Sequence, residues 1–502
     1  MKRYLLVIIL IIYCSLSMAG VIHNRKIFNV IAFGAVGDGK SDNSQAFQAA
    51  ITAANAAGGG DVVVPVSDVS YYLADTINMK DNVTLVGAGR PLLKIKKNKY
   101  INASGKNVAI INLIITSDRY GDFCVAVGSN LAYPWGQSEN SRILNNEFRN
   151  CKMGIKSYHF TRKVTIENNL FNECTYGLYL WNIQEFKILN NTFTQTWRPI
   201  ETYNAQRTVI SDNHIEGTRT GTIIGIMLGT NRVYDSAGPS DNIITRNTVL
   251  HTKEEGIILE EVVANAFVSG GTVTSATSLT LTDRLKSWKI ASGNILNDTG
   301  YAKNREVILV SGKGEGQYRK VVSNTSDTLT VDKAWDIIPD KTTKYVIVKA
   351  IKNNLISDNY IEDTGRQGIL IYGPSLNNTM TGNTIKNGGM DRGYSGIGLA
   401  GTSGQGGNKE ARHPALGNKV VRNTISGANQ AGVHVFQVNY TPSDFSNRSN
   451  RVEGNSISGT PDGVLIQSSK YTLVSANDIS SVRTGIREEK ASDYTVVDKK
   501  NL

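Results

Sequence analysis

The stretch "FNECTYGLYLWNIQEFKILNNTF", residues 171–193, decides the fold of this 502-residue chain because it restates the segment before it. That segment, residues 146–171, reads "NEFRNCKMGIKSYHFTRKVTIENNLF". Both have the same frame: Asn, a spacer and Phe, then Cys, two spacers, Gly and an apolar residue. A short unit repeated in tandem predicts a solenoid, in which each unit stacks on the next.

The frame extends well beyond these two copies, with a base period of 22 residues and several insertions. Its first mark is Asn-x-[Phe/Ile/Val], which begins at Asn146, Asn169, Asn191, Asn213, Asn247, Asn359, Asn383, Asn423, Asn455 and Asn477. Its second mark is Gly followed by an apolar residue. The second mark occurs at Gly154, Gly177, Gly225, Gly256, Gly368, Gly396, Gly432, Gly463 and Gly485, with Pro199 in the third slot.

Each unit contains short β-branched runs with two-residue alternation, and none contains a helix long enough for a crossover. Strands this short bury a core only by stacking, at ~4.8 Å per coil, into parallel sheets around one apolar column. We therefore expect an all-β parallel solenoid. The anchor asparagines are expected to form an internal hydrogen-bonded ladder without a chemical role.

The segment "FNVIAFGAVGDGKSDNSQAFQAAITAANAAGGGDVVVP", residues 28–65, resembles the N-terminal segment of the pectate lyase superfamily. This resemblance implies a right-handed parallel β-helix, in which residues 43–57 form a helix that caps the open end of the solenoid. The superfamily includes polygalacturonase-like hydrolases, polysaccharide lyases and phage tailspikes, so the fold does not select an activity.

Four parts are expected along the chain. Residues 1–19 resemble a cleavable signal peptide, with Lys2 and Arg3 before an apolar run. Residues 20–261 and 351–502 carry the two parts of the β-helix. The repeat marks vanish between them, and residues 262–350 read as a small inserted β domain. These features predict a secreted or periplasmic bacterial protein without a membrane span.

The net charge of +11 falls to +9 once Lys2 and Arg3 are removed, so the exported chain stays basic. A basic exported protein suits an acidic polysaccharide as partner, whereas the dispersed charges and the lack of a recognition motif argue against nucleic acid. Cys151 and Cys174 recur at one point of the frame, so they are either buried thiols or close enough for a disulfide. Nothing in the sequence indicates the oligomeric state.

Strand alternation predicts which side chains face outward. If the residue after Gly points inward, the first and third positions beyond it form outward rows. The candidate saccharide-binding side chains in and beside these rows are Lys156, Tyr158, Tyr179, Trp181, Trp197, Tyr394 and Phe436, joined by Arg232 from a loop. Aromatic rings along a groove suit stacking against sugars.

Ionisable groups concentrate in the same rows, and they define the candidate active site. The candidate catalytic residues are Glu201, Tyr203, Glu260, Arg366 and Tyr372, with His413 reaching in from a loop. A hydrolase needs paired carboxylates, whereas strand geometry separates the Cα atoms of Glu201 and Glu260 by ~11 to 12 Å. The motifs of polygalacturonases (Asn-Thr-Asp, Asp-Asp, Gly-His-Gly, Arg-Ile-Lys) and the Asp-Pro-His of mannuronan epimerases are absent from the sequence.

A β-eliminating lyase needs a cation to neutralise a uronate carboxylate and a base to remove the C5 proton. Arg366, or Ca²⁺ held by Glu254 and Glu260, would supply the cation, and Tyr203 or Tyr372 the base and acid. Glu254 and Arg366 alternatively form only a structural ion pair. The sequence thus predicts a polysaccharide lyase acting on an acidic glycan. The alternatives are a glycoside hydrolase in the same groove and a non-catalytic polysaccharide-binding surface protein.

Overall fold

The computed structural model describes residues 25–118, 123–128, 138–157, 161–230, 237–261, 267–290, 302–403, 412–438, 447–489, 492 and 496–497. Of the predicted site residues, Tyr158 and Arg232 lie outside these ranges, as do residues 1–19 and most of the long loops. A short 3-10 helix, Val30–Phe33, follows the first strand, Ile27–Asn29. The only α-helix among the described residues, Ser44–Ala56, packs its buried face against the first strands.

Three long sheets of parallel strands wind into a right-handed parallel β-helix, as predicted. Sheet 1 contains Ile27–Asn29, Gly60–Pro65, Val83–Ala88, Ala109–Ile111, Arg142–Leu144, Thr165–Glu167, Lys187–Leu189, Val209–Ser211, Ile243–Thr245, Leu355–Ser357, Thr379–Thr381, Lys419–Val421, Arg451–Glu453, Leu473–Ser475 and Val496–Val497. Sheet 2 contains Asp38–Asp42, Ser70–Leu73, Leu92–Ile95, Ile114–Ser117, Glu147–Arg149, Leu170–Asn172, Thr192–Thr194, His214–Glu216, Thr248–Leu250, Tyr360–Thr364, Thr384–Gly388, Thr424–Ser426, Ser456–Ser458 and Asp478–Ser480.

Sheet 3 carries the outward rows predicted from the sequence. Its parallel strands are Ile77–Asn78, Ile101–Asn102, Val125–Val127, Met153–Ser157, Tyr176–Trp181, Arg198–Tyr203, Ile226–Gly229, Ile257–Glu260, Ile369–Tyr372, Ile397–Ser403, Ala431–Val438, Asp462–Ile466 and Thr484–Glu488. Arg412–His413 joins Ile397–Ser403 as an antiparallel strand. Short corner strands follow sheet 3: Thr161–Arg162, Ile183–Gln184, Ile351–Lys352, Ser375–Leu376, Ala415–Leu416, Asn447–Arg448 and Ser469–Lys470.

A separate antiparallel sheet of seven strands interrupts the solenoid. In spatial order its strands are Phe267–Thr272, Lys344–Val348, Glu306–Ser311, Tyr318–Asn324, Thr328–Val331, Thr280–Thr282 and Ser275–Ala276. One face of this inserted sheet encloses a core of its own, which includes Leu281, Trp335 and Tyr345. The opposite face packs on the solenoid, where Ile308 and Val346 meet Leu376 and Leu416.

Stacked identical side chains hold the coils in register. The ten anchor asparagines form the predicted ladder from Asn146 to Asn477, in which each amide nitrogen donates to the carbonyl oxygen of the next side chain, as from Asn191 to Asn213 at 3.0 Å. A second ladder, not predicted from the sequence, runs five residues upstream through Asn242, Asn354, Asn378, Asn418 and Asn450. Phe148, Phe171 and Phe193 stack with ring centroids 4.8 Å apart.

The glycines of the second mark are required by close packing. A Cβ on Gly256 would lie 2.7 Å from the Ile361 side chain and 2.8 Å from the Gly368 carbonyl oxygen. The missing side chain therefore points into the core, as does the apolar residue that follows. Two consecutive inward positions break the alternation at the start of each strand.

Cys151 is neither a free thiol nor bonded to Cys174, which were the two states predicted from the sequence. Cys151 forms a disulfide with Cys124 on the preceding coil, with Cα atoms 6.1 Å apart. Cys174, one coil later, is a buried free thiol. The sequence frame did not include Cys124, because the coil that carries it lacks the Asn anchor.

Candidate active site

The predicted outward rows exist with the predicted register. Along the third-position row, Trp181 pairs with Tyr203, Tyr203 with Gly229, and Gly229 with Glu260. The row continues from Glu260 to Tyr372 and, through Ala400, to Phe436. The first-position row likewise joins Lys156 to Tyr179, Glu201, Met227, Ile258, Leu370, Gly398 and His434.

An open cleft of about 480 Å³ lies over the middle of this sheet. We call it the acidic cleft because its walls carry more carboxyl groups than guanidinium groups. Its charged lining residues are Arg198, Glu254, Glu255, Glu260, Glu261 and Arg366. Its floor is apolar, since Met227, Ile258 and Leu370 form a buried cluster on the outer face of the sheet. Carboxyl groups beside such a floor are poorly solvated.

Two of these carboxyl groups have strongly shifted acidities. Burial raises the pKa of Glu255 to about 7, against the favourable charge of Arg366. Burial likewise raises the pKa of Glu260 to about 7, and the nearby charge of Glu255 adds to the shift. Both groups therefore exchange protons near neutral pH, where a general acid or base is most effective.

Glu201 is fixed by two partners beside the cleft. Arg198 forms an ion pair with the 3 % exposed Glu201 carboxylate at 2.7 Å, and the Tyr203 hydroxyl donates to the other carboxylate oxygen at 2.7 Å. Burial, the Glu201 charge and this hydrogen bond all raise the pKa of Tyr203. Tyr203 therefore keeps its proton at neutral pH, which suits a donor better than the base predicted from the sequence.

Arg366 holds the opposite end of the acidic cleft. Its guanidinium lies 3.2 Å from the Glu254 carboxylate and 3.7 Å from that of Glu255, and 5.8 Å from the Tyr394 ring centre. Tyr372 and Phe436 also line the cleft. The predicted neighbours Glu254 and Arg366 thus form the ion pair that the sequence offered as the structural alternative, and this pair belongs to the cleft wall.

Aromatic side chains continue the groove on the preceding coils. Trp181 and Tyr203 have ring centroids 5.3 Å apart, and Tyr179 lies 6.0 Å from Tyr203. Trp197 contacts Tyr176 edge to face and lies 5.0 Å from the Arg198 guanidinium. Lys156 lies over the Phe123 ring at 5.0 Å. The groove therefore joins an aromatic surface to the acidic cleft.

His413 is in a different setting from the loop position predicted. It is fully buried on the antiparallel strand, and its Nδ1 contacts the Glu261 carboxylate and the Thr402 hydroxyl. His413 therefore contacts the acidic cleft only through Glu261.

Sequence reasoning missed Arg198, Glu255, Glu261 and Gln367 as lining residues. Strict alternation along the strand predicts that Glu255 points inward. Because Gly256 points inward as well as Ile257, the alternation shifts by one residue, and the Glu255 side chain faces the cleft. The recurring Gly was the available signal, because a glycine at a fixed strand position indicates a close approach of backbone and core.

The parallel coils, the outward rows and the cleft define the chain as a right-handed parallel β-helix protein. Within that class, residues 95–237 and 323–501 match the family model described as periplasmic copper-binding protein (NosD), and the chain belongs to this family. In structure it is similar to the A-module of mannuronan C-5 epimerase AlgE6 from Azotobacter vinelandii, with a TM-score of 0.58 and 18 % identity over 90 % of this chain and 99 % of that one. Bacteriophage phi29 gene product 12 gives a TM-score of 0.53 and 12 % identity over 94 % of this chain and 57 % of that chain.

Curated relatives match over short segments. Mannuronan C5-epimerase AlgE3 of A. vinelandii is 46 % identical over 82 residues, which is 15 % of this chain and 4 % of that protein. Alginate lyase 7 of the same organism is 46 % identical over 67 residues, 12 % of this chain and 8 % of that protein. The chain therefore spans less than a tenth of the length of these two relatives.

The family description names copper, for which imidazole and sulfur ligands are suited. Within the described ranges, no group of three or more His, Cys, Asp and Glu residues is placed to hold a metal ion. Cys174 is buried and the other two described cysteines form a disulfide. The described residues therefore do not fit a copper centre. The Ca²⁺ site at Glu254 and Glu260 stays a prediction.

Proposed function

We propose that the chain is an enzyme that cleaves a uronate-containing polysaccharide in the acidic cleft. The observation that carries this proposal is the pair Glu255 and Glu260, both with a pKa of about 7 in one cleft. Catalytic carboxyl groups gain such values when they are buried beside another carboxyl group. A purely structural carboxylate on a solenoid surface would be solvated.

The uronate class is supported by three independent features. The matched segments of curated relatives belong to proteins named for mannuronan and alginate. The chain is basic overall. Arg198 and Arg366 bracket the strand of Glu260 along the stack, two coils before it and one coil after it. Both guanidinium groups pair with carboxylates of the protein, and a substrate carboxylate bound there would compete for them.

β-Elimination is the reaction proposed first. Arg366 would pair with the uronate carboxylate and make the C5 proton more acidic. The ionised form of Glu260 would remove that proton, and a double bond would form between C5 and C4 as the C4–O bond breaks. Tyr372, which also lines the cleft, would give its proton to the departing glycosidic oxygen.

Hydrolysis is the second candidate, and the paired carboxyl groups favour it. Protonated Glu260 would donate to the glycosidic oxygen while an ionised carboxylate, Glu255 or Glu201, would activate water or attack the sugar. Glu260 acts in both reactions. They differ in the C5 proton, which β-elimination removes and hydrolysis leaves in place.

A screen of pectate, alginate and glycosaminoglycans tests the proposal. Products of β-elimination absorb in the ultraviolet through the new double bond, whereas hydrolysis gives new reducing ends without that absorbance. Saturable binding without any product would replace the enzyme by the polysaccharide-binding alternative.

On a cleaved substrate, Glu260→Gln is expected to lower kcat by about 10²- to 10⁴-fold, the usual contribution of a general acid or base. Glu453→Gln is the matched control, because Glu453 is 40 % exposed on sheet 1 and pairs only with Arg451 in the described structure. Equal activity of the two variants would remove Glu260 from the mechanism.

A further inference from the structure

A second cleft, of about 450 Å³, lies where the inserted sheet meets the solenoid. We call it the junction cleft. The inserted sheet contributes Tyr318, Lys320 and Lys333, and the corner strands of the solenoid contribute Lys352 and Asn377. Neither the outward rows nor the family comparison assigns a role to this place.

The junction cleft is lined by more positive than negative side chains, whereas the acidic cleft is lined by more negative ones. Lys352 is paired with the buried Glu306 carboxylate, and Arg319 lies 3.0 Å from Asp336. Lys320 and Lys333 are exposed, and no ion pair joins their ammonium groups to another described residue. The third carboxylate of the cleft, Asp332, accepts a hydrogen bond from the Lys320 backbone N–H at 2.9 Å, so the lining carries one excess positive charge. Two exposed ammonium groups in a cleft with an excess of positive charge attract an anion.

The walls of the junction cleft are held in place on both sides. The Tyr318 ring packs against the apolar face between sheet and solenoid, and its hydroxyl is bonded to the Asn377 amide. The hairpin before Tyr318 is tied to the solenoid by Arg448, which bonds the Glu315 carboxylate at 2.7 Å and its carbonyl oxygen at 3.0 Å. An aromatic ring beside exposed cations is a suitable surface for a charged sugar.

The two clefts are close along the chain. Tyr372 lines the acidic cleft and Leu376 lines the junction cleft on the next corner strand. Four residues span at most ~14 Å between Cα atoms. Both clefts therefore lie on the same coils of the solenoid.

We propose that the junction cleft is a second, non-catalytic binding site for a carboxylate-bearing saccharide, held by Lys320 and Lys333 beside the Tyr318 ring. The choice of ligand rests on the proposed function. The site would retain an anionic chain near a catalytic cleft that is itself rich in carboxylates and attracts such a chain weakly. The inserted sheet would thereby supply the affinity that the acidic cleft lacks.

Binding of oligogalacturonate and oligomannuronate to the full chain, measured by calorimetry in the Glu260→Gln background, tests this site. The variant Lys320→Ala/Lys333→Ala is expected to weaken binding by about 3- to 10-fold at low salt, the effect of two exposed charge contacts. Lys289→Ala/Lys341→Ala is the matched control, since it removes the same charge from exposed positions of the inserted domain outside the junction cleft. The control is expected to bind like the parent, and uncharged dextran is expected not to bind.

Equal weakening in both double variants would mean general attraction by net charge and would overturn the proposal, as would unchanged binding in both. The outcome is separable from that of the proposed function. Loss of binding confined to Lys320→Ala/Lys333→Ala in a chain that cleaves nothing would retain the junction cleft and reject the enzyme. Cleavage by the wild-type chain, together with binding that Lys320→Ala/Lys333→Ala does not weaken, would retain the enzyme and reject the junction cleft.

Discussion

At the scale of single residues, the acidic cleft links chemistry to stability. Glu260 ordinarily titrates near 4.5 but has a pKa of about 7 in the folded chain. Between these values the native state keeps a proton that the unfolded state has released. The free energy of unfolding therefore falls as pH rises from about 4.5 to 7, and the deficit is complete above pH 7.

Glu260→Gln is accordingly expected to stabilise the chain at pH 8, by on the order of 2 to 3 kcal/mol, and to have little effect near pH 4.5. Glutamine has nearly the same shape but cannot ionise in this partly buried site. Urea unfolding of wild type and variant at both pH values measures the difference. A difference that does not change with pH would show that Glu260 is solvated in the folded chain.

Side-chain positions were predictable wherever the two-residue alternation holds. Trp181, Tyr203, Glu260 and Tyr372 were placed in one row because each lies four residues beyond the Gly, or Pro199, of its coil. Glu255 was not, since its orientation depends on a glycine whose inward position is a packing effect between coils. The Glu201 contacts with Arg198 and Tyr203 depend on rotamers, which a linear pattern does not specify.

At the scale of elements, the glycine of each repeat is required by close packing between coils. The last coil is a natural control, because no further coil of the described chain packs on it. A Cβ on Gly256 would lie under 3 Å from neighbouring atoms, whereas one on Gly485, in the same slot, meets nothing within 4 Å. Neither glycine has a left-handed backbone.

Gly256→Ala is expected to cost about 1 to 3 kcal/mol through overpacking, and Gly485→Ala to change stability by less than ~0.5 kcal/mol. Thermal unfolding of the two variants beside wild type compares them. Equal losses would mean that the backbone, and not the space between coils, selects glycine at this mark.

The asparagine ladder was predictable because its members recur in every coil with an apolar partner two residues later. The second ladder was not predicted, although four of its members, Asn242, Asn354, Asn418 and Asn450, also have Ile or Val two residues later and only Asn378 departs from this pattern. Its spacings of 112, 24, 40 and 32 residues are the same as those of the first ladder over these coils. The sequence therefore carries the signal of both ladders, but the anchor was assigned to a single Asn of each coil.

At the scale of the whole molecule, the disulfide bears on where the chain works. Disulfides persist in oxidising compartments such as the periplasm. We propose on this ground, together with the character of residues 1–19, that the chain is exported. Within the described residues, no helix is long and apolar enough to span a bilayer.

The exported, purified chain is therefore expected to show one reactive thiol when denatured, from Cys174, and three after reduction. Burial raises the pKa of the Cys174 thiol to about 12, so the native chain should react far more slowly. Thiol titration with and without denaturant and reductant counts these groups. Three reactive thiols before reduction would place the chain in a reducing compartment.

The central claim is that a saccharide chain lies along the aromatic rows and is cleaved over the strand of Glu260. A crystal structure of Glu260→Gln with a bound oligouronate tests it most directly. We predict sugar rings against Trp181 and Tyr203, and a glycosidic bond within hydrogen-bonding distance of residues 255 and 260. A saccharide bound at the junction cleft alone, or on sheet 1 or sheet 2, would contradict the account.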